Sequence, residues 1–468
     1  MSVEPRFRLL LVASGKQRDD AAARLAQLFR CGRIAASRLC FRGINEMRKP
    51  SLFSLRRMLF SVLSLIVLSS PATSQIGWTN LTNAKLQDAC PADFFGGQPY
   101  EFSYHCPAVI RAWSGGVADT LRNRLIVWGG GHMNYFGNEM YSLNLSSNPP
   151  SLTRLTDPSP INTDLSNCTA ALSDGKPNAR ETYNGLVYMP HVDRMFVFAG
   201  ALACGNGETA TDTWTLDMNT LEWQRMDPVA GSPVPADLLG REWSVADYDP
   251  NSRTVLLAWT DMLWRYTYET NSYDLLKQYG DAHVPFTSTG VIDPKRRLFI
   301  FMGHEYHDVQ PKFLAIDISP GSSYQVEDWT SQVIGCDALA TGCDGDNAES
   351  CVQDYAGLAY DPTKDRIVGW PGTGDTVYLF NPDTKTCETR TFPNGPRTTL
   401  TTGTFGRFRY FPLLDAFGAV FEAGQDASLL SLGPETGSIT QRMPSGTRRP
   451  ASRDPLPRQY KPSSAGSR

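Results

Sequence analysis

Six histidines stand in this chain, and the segments around them mark where it could do proton chemistry. His132 sits in Trp128-Gly129-Gly130-Gly131-His132-Met133-Asn134-Tyr135-Phe136-Gly137-Asn138-Glu139. Three consecutive glycines let the backbone turn tightly after an apolar strand and leave room for a ligand. An imidazole exchanges its proton near neutral pH, and Tyr135 could serve as its acid partner. Asn138 closes the segment with an amide that could contact a substrate. The competing reading is an ordinary turn, with His132 packed on Trp128. A second group is Gly303-His304-Glu305-Tyr306-His307-Asp308, with His283 upstream. His304 follows its strand much as His132 does, which gives His304, His283 and Tyr306 possible catalytic or substrate contacts. The His-x-x-His spacing suits a metal on a helix, but these residues read as a loop, so no metal site is expected.

Arginines supply the complementary charge. Arg111, Arg180 and Arg241 each enter a strand of the same kind, in Arg111-Ala112-Trp113-Ser114-Gly115, Arg180-Glu181-Thr182-Tyr183-Asn184-Gly185 and Gly240-Arg241-Glu242-Trp243-Ser244. Ringing one opening, they would form an anion funnel for carboxylates or sulfates. The alternative is a structural ion pair repeated by symmetry. Arg407 and Arg409, in Gly403-Thr404-Phe405-Gly406-Arg407-Phe408-Arg409-Tyr410, alternate onto one strand face, and Arg407 could join the funnel. Glu139, Glu181, Glu242 and Glu305 would be available for paired-carboxylate chemistry. Asp344-Gly345-Asp346-Asn347 could hold a structural divalent cation, although its order departs from an EF-hand loop. No other cofactor is expected. A Gly-x-Ser-x-Gly elbow, a phosphate loop and a dinucleotide fingerprint are all missing.

The elements that must carry these residues repeat. A turn, a charged residue, an apolar strand and a glycine recur as Asn123-Arg124-Leu125-Ile126-Val127-Trp128-Gly129 and as Asp193-Arg194-Met195-Phe196-Val197-Phe198-Ala199-Gly200. Further copies begin at Ser252, Arg297, Asp365 and Asp415. The strand before each copy tends to end in Tyr-Asp-Pro or its like, as at Tyr188-Met189-Pro190, Tyr248-Asp249-Pro250 and Tyr360-Asp361-Pro362. Each unit therefore reads as a four-stranded antiparallel meander, the blade of an all-β propeller. Six copies, with a further split blade joining Trp78-Thr79-Asn80-Leu81 to strands near Ser428–Leu432, predict a single seven-bladed, kelch-like propeller over residues 75–440. A row of separate β-sandwiches is the alternative.

Composition agrees with a large folded body: 41% of the residues are hydrophobic and only 20% are charged. The net charge of −4 hides an uneven distribution. Residues 1–57 hold 13 Lys/Arg against 4 Asp/Glu, while the rest of the chain holds 31 against 44. An acidic body argues against nucleic acid as a partner. Residues 59–70 form a short apolar run after Arg56 and Arg57, and Ala72-Thr73-Ser74 follows as a cleavage site. Residues 47–74 are thus expected to be a signal peptide, and 1–46 an upstream extension outside the mature protein. The run is too short for a membrane span. Residues 441–468 read as a basic disordered tail. The expected product is a secreted or periplasmic monomer. Eight cysteines lie beyond the signal, an even number that suits disulfides in an exported chain. Local spacing favours Cys90–Cys106 and Cys168–Cys204, with Cys336, Cys343, Cys351 and Cys387 pairing among themselves.

The blade repeats, the Trp-Gly-Gly-Gly-His segment and the strand Tyr183-Asn184-Gly185-Leu186-Val187-Tyr188 resemble kelch and galactose-oxidase-like propellers. Within that group they look most like bacterial propellers related to ulvan lyases. The resemblance spans roughly residues 78–437. It does not extend to copper oxidation, since no cysteine can be placed for a Tyr–Cys crosslink. It implies β-elimination on uronic-acid polymers: an arginine neutralises the carboxylate, a His or Tyr takes the C5 proton, and a Tyr or His protonates the leaving oxygen. His132 matches the glycine-His segment, while Tyr183, Arg180, Arg241 and His304 match by blade position. Glu181 departs from the pattern, standing beside Tyr183 where a His would be favoured. The implied catalytic set is His132, Tyr183, Arg241 and His304. Arg111, Tyr135, Asn138, Arg180, His283, Tyr306 and Arg407 would contact an acidic polysaccharide. A non-catalytic sugar- or protein-binding propeller and a glycoside hydrolase are the alternatives.

Overall fold

A computed structural model describes residues 75–131, 133–205, 208–226, 243–280, 284–285, 288–305, 308–336, 356–397 and 402–434. The upstream extension, the apolar run and the basic tail lie outside the described residues. Asn123, Asp193, Arg253, Arg297, Asp365 and Asp415 all adopt left-handed backbone, with φ between +45° and +59°. Each occupies the turn between the first and second strands of a four-stranded antiparallel sheet. These six sheets are the blades. Their innermost strands are Gly116–Asp119, Val187–Met189, Val245–Asp249, Thr289–Asp293, Gly357–Asp361 and Phe408–Phe411, for blades 1 to 6. The innermost strands contact one another in order, and the sixth returns to the first.

The propeller therefore has six blades, not the seven expected from the sequence. The closing strand explains the miscount: Gly77–Lys85, which carries Trp78, pairs antiparallel with Asp426–Ser431. That second strand in turn pairs with Ala416–Ala419, the sixth repeat copy. The split blade and the sixth copy are one sheet. The N-terminal strand is its outer edge, so the ring is closed by hydrogen bonds between the two ends of the fold.

Burial falls from the axis outwards. Thr289–Asp293 and Thr254–Ala258 are buried at every position, whereas the outer strand Thr386–Thr391 is mostly exposed. The core is divided accordingly. One apolar cluster fills each space between neighbouring blades, as where Val187, Phe196 and Phe198 of blade 2 meet Ala246, Leu257 and Trp264 of blade 3. The space between blades 6 and 1 also receives Phe102, Cys106, Val109 and Ile110 from two short helices, Phe102–His105 and Ala108–Arg111, and the residues beside them.

Disulfides Cys90–Cys106, Cys168–Cys204 and Cys336–Cys387 join residues whose Cα atoms are 6.0, 5.2 and 5.3 Å apart. The first two are the pairs that local spacing favours. The third falls within the expected set of four, whose other members, Cys343 and Cys351, lie outside the described residues. Three disulfides are consistent with an extracellular or periplasmic protein.

Ion pairs between blades do recur, at the turns after the innermost strands. Arg122 of blade 1 donates to Asp193 of blade 2 through Nη1 and Nη2 at 2.8 and 2.5 Å. Arg296 of blade 4 donates to Asp365 of blade 5, both bonds at 2.7 Å. Lys364 of blade 5 reaches Asp415 of blade 6 at 3.3 Å. Hydrogen bonds from Arg122 and Arg296 hold the Asp193 and Asp365 carboxyls below the usual range. Such depressed values add stability above the unfolded carboxylate pKa, and that stability is lost as pH falls through the lower, folded value. Thermal stability should thus drop on acidification below about pH 4. Arg122→Gln with Arg296→Gln should flatten the profile there, as melting curves between about pH 7 and about pH 3 would reveal.

Candidate functional site

The innermost strands all begin at one end of the channel, where the second strands of blades 1, 2 and 5 finish in glycine-bearing loops. Three bulky residues just ahead of these strands adopt left-handed backbone: Trp113 at φ +43°, Tyr183 at +44° and Phe405 at +47°. They belong to blades 1, 2 and 6, which are consecutive around the ring. A left-handed aromatic costs about 1–3 kcal/mol and persists only where its surroundings dictate it. Here the dictating contacts are visible. Tyr183 N donates to Trp113 O at 2.7 Å, and Arg407 Nε donates to Ser114 O at 2.8 Å. Gly115 packs so closely on blade 2 that a Cβ would lie 2.1 Å from Tyr183 O. The Tyr183 ring meets Phe405 edge to face, with centroids 5.8 Å apart. Trp113 is the partly exposed member, whereas Tyr183 and Phe405 are 8% and 1% exposed.

The Tyr183 hydroxyl donates to Glu181 Oε2 at 2.5 Å, in buried surroundings. The phenol is the donor of this hydrogen bond and the carboxylate its acceptor. The loop from blade 1 packs on the blade 2 backbone next to Glu181. Gly131, at φ +109°, would place a Cβ 2.4 Å from Glu181 N and 2.5 Å from Ala201 O, so only glycine fits. On the other side of His132, Met133 N donates to Ala203 O at 2.9 Å. Both residues flanking His132 are therefore docked on blade 2 beside Glu181. His132 itself, Arg241, His283 and Tyr306 lie outside the described residues. His304 falls in the strand Leu298–Glu305, opposite Pro311, and its side chain is likewise outside them.

The other sequence candidates have distinct surroundings. Arg180 is fully buried: Nη1 pairs with Asp212 Oδ1 at 2.7 Å, while Nε and Nη2 donate to Asn178 O and Ala170 O. Arg407 is also fully buried, donating to the carbonyls of Ser114, Val420 and Gly403. These guanidiniums cross-tie backbone rather than face the opening. Arg111 is different. Its side chain is 59% exposed and pairs with Glu422 at 2.9 Å. Counting back from the left-handed aromatics explains the divergence. Arg111 stands two residues before Trp113, but the position two before Tyr183 is Glu181. Arg111 ends the short helix Ala108–Arg111, whereas Arg180 lies in extended chain bridged to Leu202, so the two are not structurally equivalent.

Tyr135 and Asn138 are buried as well. Tyr135 donates to Glu139, which also accepts from Tyr141 at 2.5 Å, and burial raises the Glu139 carboxyl above its ordinary range. Asn138 donates to Ser159 Oγ and Pro177 O and accepts from Ser159 N, which pins two loops together. Among the described residues, no group of His, Cys, Asp and Glu is arranged to hold a metal ion. Asp344–Asn347 lies outside them. Sequence reasoning passed over Trp113 and Phe405 as site residues. Their signal was an aromatic residue at one shared register ahead of an innermost strand.

The geometry defines a six-bladed β-propeller with an arc of aromatic residues and a buried Tyr183–Glu181 pair at the end where the innermost strands begin. No family model matches the chain, and no curated protein matches it. Solved structures similar to it include one of a nidogen/laminin complex, at 10% identity and TM-score 0.36 over 65% of this chain and 92% of that one. A fungal alcohol oxidase of the AA5 family, in complex with copper, is similar at 13% identity and TM-score 0.36 over 68% and 61%. A Bacteroides thetaiotaomicron protein of unknown function is similar at 9% identity and TM-score 0.40 over 68% of each chain.

Proposed function

We propose that the aromatic mouth binds an acidic polysaccharide and that the protein cleaves it by β-elimination at a uronic acid. The observation that carries this reading is the Tyr183–Glu181 pair, at 2.5 Å, within the arc of Trp113, Tyr183 and Phe405. The partly exposed Trp113 ring suits a sugar face, and the Tyr183 hydroxyl beside it could deliver a proton to a leaving oxygen. In the proposed reaction Arg241 neutralises the uronate carboxylate, and His132 or His304 takes the C5 proton. The C4–O4 bond then breaks, and Tyr183 protonates O4. Solvent carries the proton gained by the histidine away and restores that of Tyr183. Exposed Arg111 would contact a neighbouring carboxylate of the polymer. Secretion and a kelch-type lineage belong to the same proposal.

A second reading, a non-catalytic sugar-binding propeller, is favoured by one observation: the guanidiniums of Arg180 and Arg407 are already committed to protein partners. Incubation with uronic-acid polymers separates the two. The lyase releases unsaturated product that absorbs in the ultraviolet, whereas the binding module retains polymer without any such signal. Polymer retention with no product would sink the catalytic reading. On that reading Tyr183→Phe should slow product release by about 10²-fold or more, the low end for a proton-transfer group.

A further inference from the structure

At the opposite end of the channel, the innermost strands run out through a rim of tyrosines and prolines around a cavity of about 300 Å³. The wall position just before that rim is Val117, Val187, Val291 and Ala359 in four blades, but Asp247 in blade 3 and Arg409 in blade 6. The two residues stand three blades apart in a ring of six and both line this cavity, with the Arg409 guanidinium turned back along its strand toward Gly406. Asp247 accepts from the backbone N–H groups of Tyr248 and Ile292 at 2.9 and 2.8 Å. Arg409 Nε has no hydrogen-bond partner among the described residues. Burial pushes the Asp247 carboxyl up and the Arg409 guanidinium down.

A separated pair of charges in an aliphatic wall is destabilising relative to apolar side chains of similar size. A ligand offsets that cost if it brings opposite charges in the matching order. We infer that this end of the channel is a second binding site, for a small zwitterion whose carboxylate meets Arg409 and whose ammonium meets Asp247. A simple anion would satisfy Arg409 but face Asp247 unpaired, and a simple cation would do the reverse. The aliphatic wall between them suits a short methylene chain.

Calorimetry and melting curves with β-alanine, 4-aminobutyrate and 5-aminopentanoate scan the unknown span between the two charges. At least one should bind with a Kd on the order of 1 mM or tighter. Butyrate and butylammonium, which carry one charge each, should bind at least about tenfold more weakly. Arg409→Met should abolish binding while keeping or raising Tm, the signature of a charge retained for a ligand. Arg409→Lys, which keeps the charge, should bind more weakly than wild type and guards against a folding defect in the Met variant. No binding by any of the three zwitterions overturns the inference. So does binding that survives Arg409→Met, or a fall in Tm for both variants with no ligand effect in wild type.

Discussion

His132→Ala should lower the rate of unsaturated-product release from a uronic-acid polymer by roughly 10²–10⁴-fold, the usual worth of a positioned proton-transfer group. The reason for choosing this residue is the docking of its neighbours. Gly131 has no room for a side chain against Glu181 and Ala201, and Met133 is hydrogen-bonded to Ala203. The loop is thereby held against the blade that carries Tyr183. Arg241→Ala should lose at least as much if it neutralises the carboxylate, because that charge develops in the transition state. Each variant must keep the wild-type Tm, so that a lost rate reports lost chemistry. An unchanged rate for His132→Ala would remove this residue from the mechanism and leave His304 as the base to test.

Arg180→Ala should act on stability instead, lowering the unfolding free energy by about 3–5 kcal/mol, as removal of one partner from a buried ion pair does. Arg180 and Asp212 are 2.7 Å apart with essentially no exposure. Without the guanidinium, Asp212 keeps the Trp214 Nε1 hydrogen bond at 2.6 Å and a distant Arg225, but not a buried counter-charge. The carbonyls of Asn178 and Ala170 lose their donors as well. The double variant Arg180→Met with Asp212→Asn should recover much of the loss, since it buries no lone charge. Denaturant titration of the three proteins measures this. A loss below about 1 kcal/mol for Arg180→Ala would show that the arginine is not an essential tie.

Much of the fold was legible because each blade is a local object. A turn with a left-handed residue, an apolar strand and a glycine are set by neighbours in sequence, so six copies could be found by reading. The blade count failed at the one step that is not local. Trp78 and Leu430 are partners across the closing sheet, and no property of either residue announces the other. The same limit governed the arginines. Arg111, Arg180 and Arg241 looked equivalent by spacing, yet Arg180 lies in extended chain and turns inwards to Asp212, whereas Arg111 ends a short helix and remains at the surface with Glu422.

Sequence alone therefore determined the strand repeats, the turns between them and two of the disulfide pairs, all products of short-range geometry and spacing. Tertiary structure decided the closure into six blades, the left-handed strain on Trp113, Tyr183 and Phe405, and the meeting of Tyr183 with Glu181. It also decided that Asp247 and Arg409, far apart in the chain, line one cavity. Those outcomes depend on how rigid blades pack around a ring. Packing fixes distances between residues that share no local pattern, and a charge is only paired or unpaired once those distances are set.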